Sequence, residues 1–144
     1  MLEWTAKTPE DLLLQKYWNQ HKGVIFVEVP IGSPNGVGNW PRGSKRRRID
    51  AIRLTGSSIS DGIYKLSNNE NMLDYLPLTD SIELIEIKQK LSRYIIGQVI
   101  AGVDMFEYEY NFENIIPKII CAEGDPALEW VCEKRDIIIK IFSN

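Results

Sequence analysis

Apolar residues follow two different periods along this chain, and the changes of period mark its elements. Three short β-rich runs come first, at residues 24–29, 47–54 and 82–88. Each is rich in β-branched residues or alternates partly between apolar and polar positions, which is typical of strands. Pro30 is expected to end the first run. A weaker run at residues 63–66 indicates an additional short strand between the second and the third.

Helices are predicted before and after these runs. Thr8, Pro9 and the acids that follow them form a helix start, with Thr8 as N-cap, and this helix is expected to continue to His21. Over residues 89–107, apolar positions recur every three or four residues, which marks a helix with one buried face. That face comprises Leu91, Ile95, Val99, Gly102 and Phe106.

The remaining elements complete one core. Residues 117–121 are predicted as a strand, residues 126–134 as a helix and residues 136–142 as a final strand. The resulting order, α-β-β-β-α-β-α-β, is that of an α/β fold whose central mixed sheet is flanked by helices. The chain has 144 residues, of which 44% are hydrophobic, so residues 1–144 are expected to form a single domain.

Composition excludes several classes of function. The only histidine, His21, ends the first predicted helix, which leaves neither a histidine-activated nucleophile nor a histidine-based zinc site. Cys121 and Cys132 lack a CxxC spacing and are expected to be reduced and structural. No run of about 18 apolar residues occurs, so a soluble, cytoplasmic protein without a membrane partner is expected.

Charge is distributed unevenly. The formal net charge is -3, yet a basic cluster occupies one short segment and consists of Arg42, Lys45, Arg46, Arg47 and Arg48. Bound divalent cations would offset the acidic excess, so the net charge does not exclude a nucleic-acid partner. The cluster is therefore expected to contact phosphates, with a solvated strand edge as the alternative. Trp40, beside the cluster, either stacks on a base or covers the edge of the core.

Each of the three early strands carries an acid inside an apolar run, namely Glu28, Asp50 and Glu86. A carboxylate in such a place is costly unless it is paired, hydrogen-bonded or bound to a metal. Glu86 and Lys88 are two apart and share a strand face, and Asp50 can lie opposite them if the second and third strands pair. Two carboxylates and the Ile87 carbonyl are hard ligands suited to Mg²⁺ or Mn²⁺.

These residues resemble the PD-(D/E)XK nuclease superfamily, whose members have the restriction-endonuclease-like fold. Asp50 matches the first acid of the motif, although Ile49 stands where the name-giving motif has proline, and Glu86-Ile87-Lys88 matches the acid-x-lysine element. The predicted order helix-strand-strand-strand-helix-strand matches as well. Glu28 resembles a further acid of some branches. Tyr94 and Gln98, four apart on the following helix, resemble polar residues that other members direct at the metal or the substrate backbone.

The resemblance implies a divalent-metal-dependent nuclease that hydrolyses phosphodiester bonds, most readily in DNA, with Mg²⁺ as cofactor and Mn²⁺ as its substitute. Asp50, Glu86 and Ile87 would bind the metal, Glu28 would assist through water or a second ion, and Lys88 would position the water. The basic cluster, Tyr94 and Gln98 would align the backbone. It also admits a homodimer, and it distinguishes neither endonuclease from exonuclease action nor DNA from RNA.

Two alternatives stay open at this point. The first is a catalytically inactive nucleic-acid-binding module of the same fold, against which the intact acid-acid-lysine set argues. The second is an α/β domain in which these charges form a structural network and the basic cluster binds a protein partner. Salt-sensitive binding to DNA, but not to an acidic protein, would separate the two.

Overall fold

The computed structural model of the chain describes residues 1–34 and 36–143. The composition of residues 32–39 predicts a connection after the first core strand, and Asn35 within it, like Asn144, lies outside the described residues. The strands are β1 Leu2–Glu3, β2 Val24–Ile31, β3 Arg47–Thr55, β4 Gly62–Lys65, β5 Ser81–Lys90, β6 Ile115–Glu123 and β7 Ile138–Ile141. The helices are α1 Pro9–His21, α2 Arg93–Tyr110 and α3 Pro126–Lys134, and 3₁₀ turns occupy Met72–Asp74 and Leu76–Leu78.

The predicted elements are all present, and Thr8 caps α1 by accepting a hydrogen bond from the backbone N–H of Asp11. β4 is the additional short strand, whereas β1 was not predicted. The expectation that Pro30 ends β2 is wrong, since β2 continues to Ile31 and Pro30 pairs with Arg48. The pairing of β2 with β4 stops at Val27, so one edge of β2 is free at Pro30, where a missing N–H costs no ladder hydrogen bond.

In the described residues the strands form one mixed sheet in the order β1-β4-β2-β3-β5-β6-β7. β3 lies antiparallel between β2 and β5, while β4, β6 and β7 add parallel strands on either side. α1 packs on one face through Leu13, Leu14 and Tyr17, and α2 packs on the other. The central α/β fold with flanking helices is thus confirmed.

The side chains of β2 switch from one face of the sheet to the other at Glu28. Residues two apart on a regular strand share a face, yet Val27 packs in the core under α1 and Val29 in the core under α2. Glu28 between them has a φ of 53°, in the left-handed region that non-glycine residues rarely adopt. Asp50 lies opposite Glu28, because the register pairs Val27 with Ala51 and Val29 with Ile49. The backbone departs from regular strand geometry at these two acids.

A buried ion network holds α1 to the sheet at the end away from Asp50. The hydroxyl of Tyr17 donates to Glu83 Oε1 at 2.6 Å, and the ammonium of Lys118 donates to Glu83 Oε2 at 3.0 Å and to the Tyr17 hydroxyl. Arg53 Nη1 lies 3.4 Å from Glu83 Oε2. These contacts satisfy a carboxylate and an ammonium that would be costly to bury alone.

Tyr17→Phe should lower the free energy of unfolding by about 1–3 kcal/mol, because it removes a donor to Glu83 and an acceptor for Lys118 in a buried site. Urea unfolding followed by circular dichroism measures the change. Tyr64→Phe is the matched control, since the Tyr64 hydroxyl donates to the Ser60 carbonyl at an exposed position. Equal losses for both variants would contradict the role given to the network.

The two cysteines agree with the expectation drawn from composition. Cys121 and Cys132 are free and buried, as expected, and burial raises the pKa of both thiols. Among the described helices, none has the length and apolar content needed to cross a bilayer.

Candidate active site

Asp50 lies where β3 and β5 separate. The pairing of the two strands ends at Ala51 and Ile85, so Asp50 and Glu86 are the next residues facing one another. Asp50 Oδ2 accepts a hydrogen bond from the Ile87 backbone N–H at 2.8 Å. Because the N–H and C=O of an extended residue point to the same side of a strand, the Ile87 carbonyl also opens toward Asp50. The Asp50 side chain thus takes the place of the backbone hydrogen bonds between β3 and the carboxyl end of β5.

Glu86 is a buried carboxyl group beside a second carboxylate. Its exposed fraction is 4%, and it belongs to the face of β5 that packs against α2. Burial, and then the charge of Asp50, hold the pKa of Glu86 well above its ordinary value, while the nearby charge of Lys88 opposes that shift. A cation bound between Asp50 and Glu86 would offset both the desolvation and the repulsion.

Two cavities meet this pair of acids from opposite faces of the sheet. The α1-side cleft, of about 590 Å³, is lined by Asp50, Ile87, Lys88 and Glu28 together with residues of α1. The α2-side cavity, of about 850 Å³, contains Glu86. Asp50 and Glu86 therefore bridge the two cavities, and Lys88 lies in the α1-side cleft.

Glu28 lines the α1-side cleft but is engaged with a cation of the protein. Lys65 Nζ lies 2.9 Å from Glu28 Oε2, and both side chains are about half exposed. Glu28 has its left-handed φ at the point where the pairing of β2 with β4 ends, at Val27 and Lys65. Backbone strain of this kind is often found at functional sites.

The residues at the centre fit a hard divalent cation in part. Among the described residues, no three Asp, Glu, His or Cys side chains converge as a ready ligand group. Asp50, Glu86 and the Ile87 carbonyl nevertheless supply oxygen ligands, the type that Mg²⁺ takes while it keeps several waters. Gln98 Oε1 is buried and has no hydrogen-bond partner in the part of the chain that the structure describes, and it lies in the same cavity as Glu86. An unpaired buried oxygen points to a ligand there.

The residues of the basic cluster do not all line the same cavity. Arg46 and Arg48 line a basic recess of about 480 Å³ that also contains Lys65 and adjoins the α1-side cleft. Arg47 and Arg48 line the α2-side cavity with Tyr94 and Gln98. Arg42 and Lys45 are exposed in the connection before β3 and line none of these cavities.

Trp40 contacts α2 rather than standing free in solvent. Its Nε1 donates to Glu109 Oε1, and its ring lies 4.6 Å from the ring of Tyr108, centroid to centroid. The backbone N–H of Gly32 donates to the same carboxylate oxygen. These contacts favour the interpretation of Trp40 as a cover over the edge of the core.

The cavities also contain residues that sequence reasoning missed. Glu10, in the first turn of α1, lines the α1-side cleft, as do Lys7 and Lys65. The sequence indicates the acids of that turn only as part of a helix start. Arg93 lines the α2-side cavity and directly follows Ser92, the N-cap of α2. This polar helix start comes soon after the Glu86-Ile87-Lys88 strand, and that position was a sequence signal for Arg93.

Comparison with known proteins adds support at the level of the fold. No protein-family model matches the chain, and no curated protein matches it in sequence. It is similar to the crystal structure of a repair endonuclease from Pyrococcus abyssi, with a TM-score of 0.51 and 14% identity over 99% of this chain and 50% of that chain. The chain thus spans half the length of that protein. A mixed sheet of seven strands in the described residues, flanked by helices, is consistent with the restriction-endonuclease-like fold.

Proposed function

We propose that this protein is a divalent-metal-dependent nuclease of the PD-(D/E)XK type that hydrolyses phosphodiester bonds in DNA. The observation that carries the proposal is the pair formed by Asp50 and the buried Glu86 where β3 and β5 separate. Mg²⁺, or Mn²⁺ in its place, would be held by the two carboxylates and the Ile87 carbonyl. Similarity of fold to a repair endonuclease supports the class of activity.

The residues around the pair then have distinct tasks. When bound, the metal ion supplies a Lewis acid at the phosphate and lowers the pKa of a bound water. Lys88, exposed in the α1-side cleft with Asp50, holds the attacking water by a hydrogen bond and offsets the charge that develops on the phosphate. The buried Ile87 N–H fixes the Asp50 carboxylate, so its orientation does not depend on the substrate.

Glu28 and Lys65 act together at the rim of the α1-side cleft. In the structure Lys65 forms an ion pair with Glu28. Glu28 can turn toward the centre of the cleft only if Lys65 pairs with another anion instead. A substrate phosphate is such an anion, and Lys65 also borders the basic recess with Arg46 and Arg48. Glu28 would then assist through a water or a second ion.

Arg48→Ala should weaken binding to DNA of any sequence to a similar extent and reduce the slope of log affinity against log salt by about 1, as expected for the loss of one phosphate contact. Arg48 borders both the basic recess and the α2-side cavity. Fluorescence anisotropy over a range of salt concentrations measures the slope. Lys16→Ala, at an exposed position of α1, is the control and should leave the slope unchanged.

Labelled linear, circular and branched DNA, incubated with Mg²⁺, Mn²⁺ or EDTA, test the proposal. Cutting that requires the metal supports the nuclease and reveals its preferred substrate. Salt-sensitive binding without cutting would overturn it in favour of a catalytically inactive nucleic-acid-binding module of the same fold. If the protein neither bound nor cut DNA, the proposal would be overturned and only the fold would stand.

A further inference from the structure

The α2-side cavity has a chemistry that metal binding does not require. Its walls are mostly apolar and include Ile31, Ile49, Gly97, Ala101 and Met105. Its rim carries three arginines, Arg47, Arg48 and Arg93, all exposed, and none of them forms an ion pair with a carboxylate in residues 1–34 and 36–143. The Arg47 guanidinium donates a hydrogen bond to the Lys45 carbonyl at 2.8 Å. An apolar recess bordered by guanidinium groups that pair with no described carboxylate fits a ligand that is both flat and anionic.

Tyr94 provides an unoccupied aromatic surface at this cavity. It lies in the first turn of α2, and 70% of its surface is exposed. Gly97, nearly one turn further, leaves open space beside it, because a Cβ atom placed there would meet nothing within 4 Å. A solvent-exposed aromatic ring next to open space is suited to stacking with a planar group.

Gln98 supplies a specific polar contact deeper in the cavity. Its Oε1 atom is buried and lacks a hydrogen-bond partner among the described residues, so a donor from a ligand would remove an unfavourable feature of the fold. The buried Glu86 lies in the same cavity. A planar group with N–H donors, linked to a phosphate and adjoining the proposed metal site, is a nucleotide.

We propose that the α2-side cavity receives an unpaired nucleotide of the DNA strand that is cut, stacked on Tyr94, so that the substrate is single-stranded DNA or a junction with a single-stranded segment. The inference rests on the proposed nuclease function and specifies its substrate class. In a regular duplex the bases are paired and stacked inside, and a base enters such a recess only after leaving the stack. A fully paired duplex would therefore contact only the arginines at the rim.

Binding in EDTA, where metal-dependent cutting cannot occur, tests the inference separately from catalysis. Fluorescence anisotropy compares a labelled single-stranded oligonucleotide with the blunt duplex that the same oligonucleotide forms with its complement. The wild-type protein should prefer the single strand, and Tyr94→Ala should weaken single-strand binding about tenfold, the effect of losing one stacked base. Gly97→Phe should do the same by filling the cavity, while both variants leave binding of the blunt duplex nearly unchanged.

Control variants and folding measurements complete the design. Tyr94→Phe keeps the ring and should retain single-strand binding, and Trp130→Ala removes an equally prominent exposed aromatic from α3 without effect. Circular dichroism and thermal unfolding verify that Gly97→Phe folds, as expected at an open helical position.

The inference would be overturned if the wild-type protein bound single strand and blunt duplex with equal affinity, or bound neither. It would also be overturned if Tyr94→Ala bound the single strand as the wild-type protein does. Preferential single-strand binding lost in Tyr94→Ala would support it even if no metal restored cutting. If the protein bound single strands in this way but did not cut with any metal, the proposed nuclease function would be wrong and the role of the cavity would still be supported.

Discussion

Glu86→Gln is expected to stabilise the metal-free protein while it removes activity. The substitution keeps the shape of a side chain that is 4% exposed, prevents it from becoming negatively charged beside Asp50 and adds an N–H donor. Because the folded-state pKa of Glu86 is raised, the stability that its protonated form contributes is present at low pH and is lost as pH rises from the ordinary value of 4.5 toward the raised one. Wild-type protein should therefore lose up to about 1.4 kcal/mol per pH unit in that window.

The variant should escape this loss, so its advantage in free energy of unfolding should be small at acidic pH and reach roughly 2 kcal/mol or more near neutrality. Urea unfolding in EDTA across pH measures the difference. Excess Mg²⁺ should reverse the order, because ligand binding stabilises only the protein that retains both carboxylates. Stability curves that stay parallel across pH, with equal responses to Mg²⁺, would contradict the placement of Glu86 in a buried metal site.

Lys88→Ala is expected to lower the cleavage rate by about 100-fold or more, the scale of losing a group that positions or activates a reacting water. Lys88 is exposed in the α1-side cleft, so the variant should fold and bind Mg²⁺ as the wild-type protein does. Single-turnover cleavage of labelled DNA measures the rate.

Lys90→Ala is the matched control for this variant. Lys90 lies two residues further along β5, is 76% exposed and pairs loosely with Glu123 at 3.9 Å. Its removal should leave the cleavage rate unchanged. Undiminished cutting by Lys88→Ala would remove Lys88 from the mechanism, and equal losses in the two variants would reduce its role to general positive charge.

Local patterns were sufficient to predict most of the fold. Thr8 caps α1 as expected, and the apolar face predicted for the long helix is the buried face of α2 from Ile95 to Phe106. The predicted start at residue 89 is wrong, because β5 continues to Lys90 and α2 begins at Arg93, so the buried Leu91 precedes the helix. Periodicity reports which side of an element is apolar, so it identified these elements without knowledge of their partners. It could not show that β4 inserts beside β2 as a parallel strand, since that pairing depends on long-range packing.

The candidate site was harder to predict than the fold because its geometry departs from regular strands. Alternation predicts that Glu86 and Lys88 share a face. Glu86 lines the α2-side cavity and Lys88 the α1-side cleft, yet the charge of Lys88 lowers the pKa of Glu86, so the shared face stays a prediction. The left-handed φ of Glu28 has no sequence signature, and neither has its ion pair with Lys65. Residues such as Glu10 and Arg93 reach the cavities only through helix packing, which a single sequence does not reveal.

Cleavage of labelled DNA by wild-type protein and by Asp50→Ala, each with Mg²⁺ and with EDTA, tests the central claim most directly. Asp104→Ala, an exposed acid on α2, serves as control for the loss of one carboxylate. We predict cutting by the wild-type protein and the control that depends on Mg²⁺ and falls at least about 100-fold in Asp50→Ala. Cutting that survives in EDTA or in Asp50→Ala would contradict a metal-dependent nuclease centred on Asp50 and Glu86.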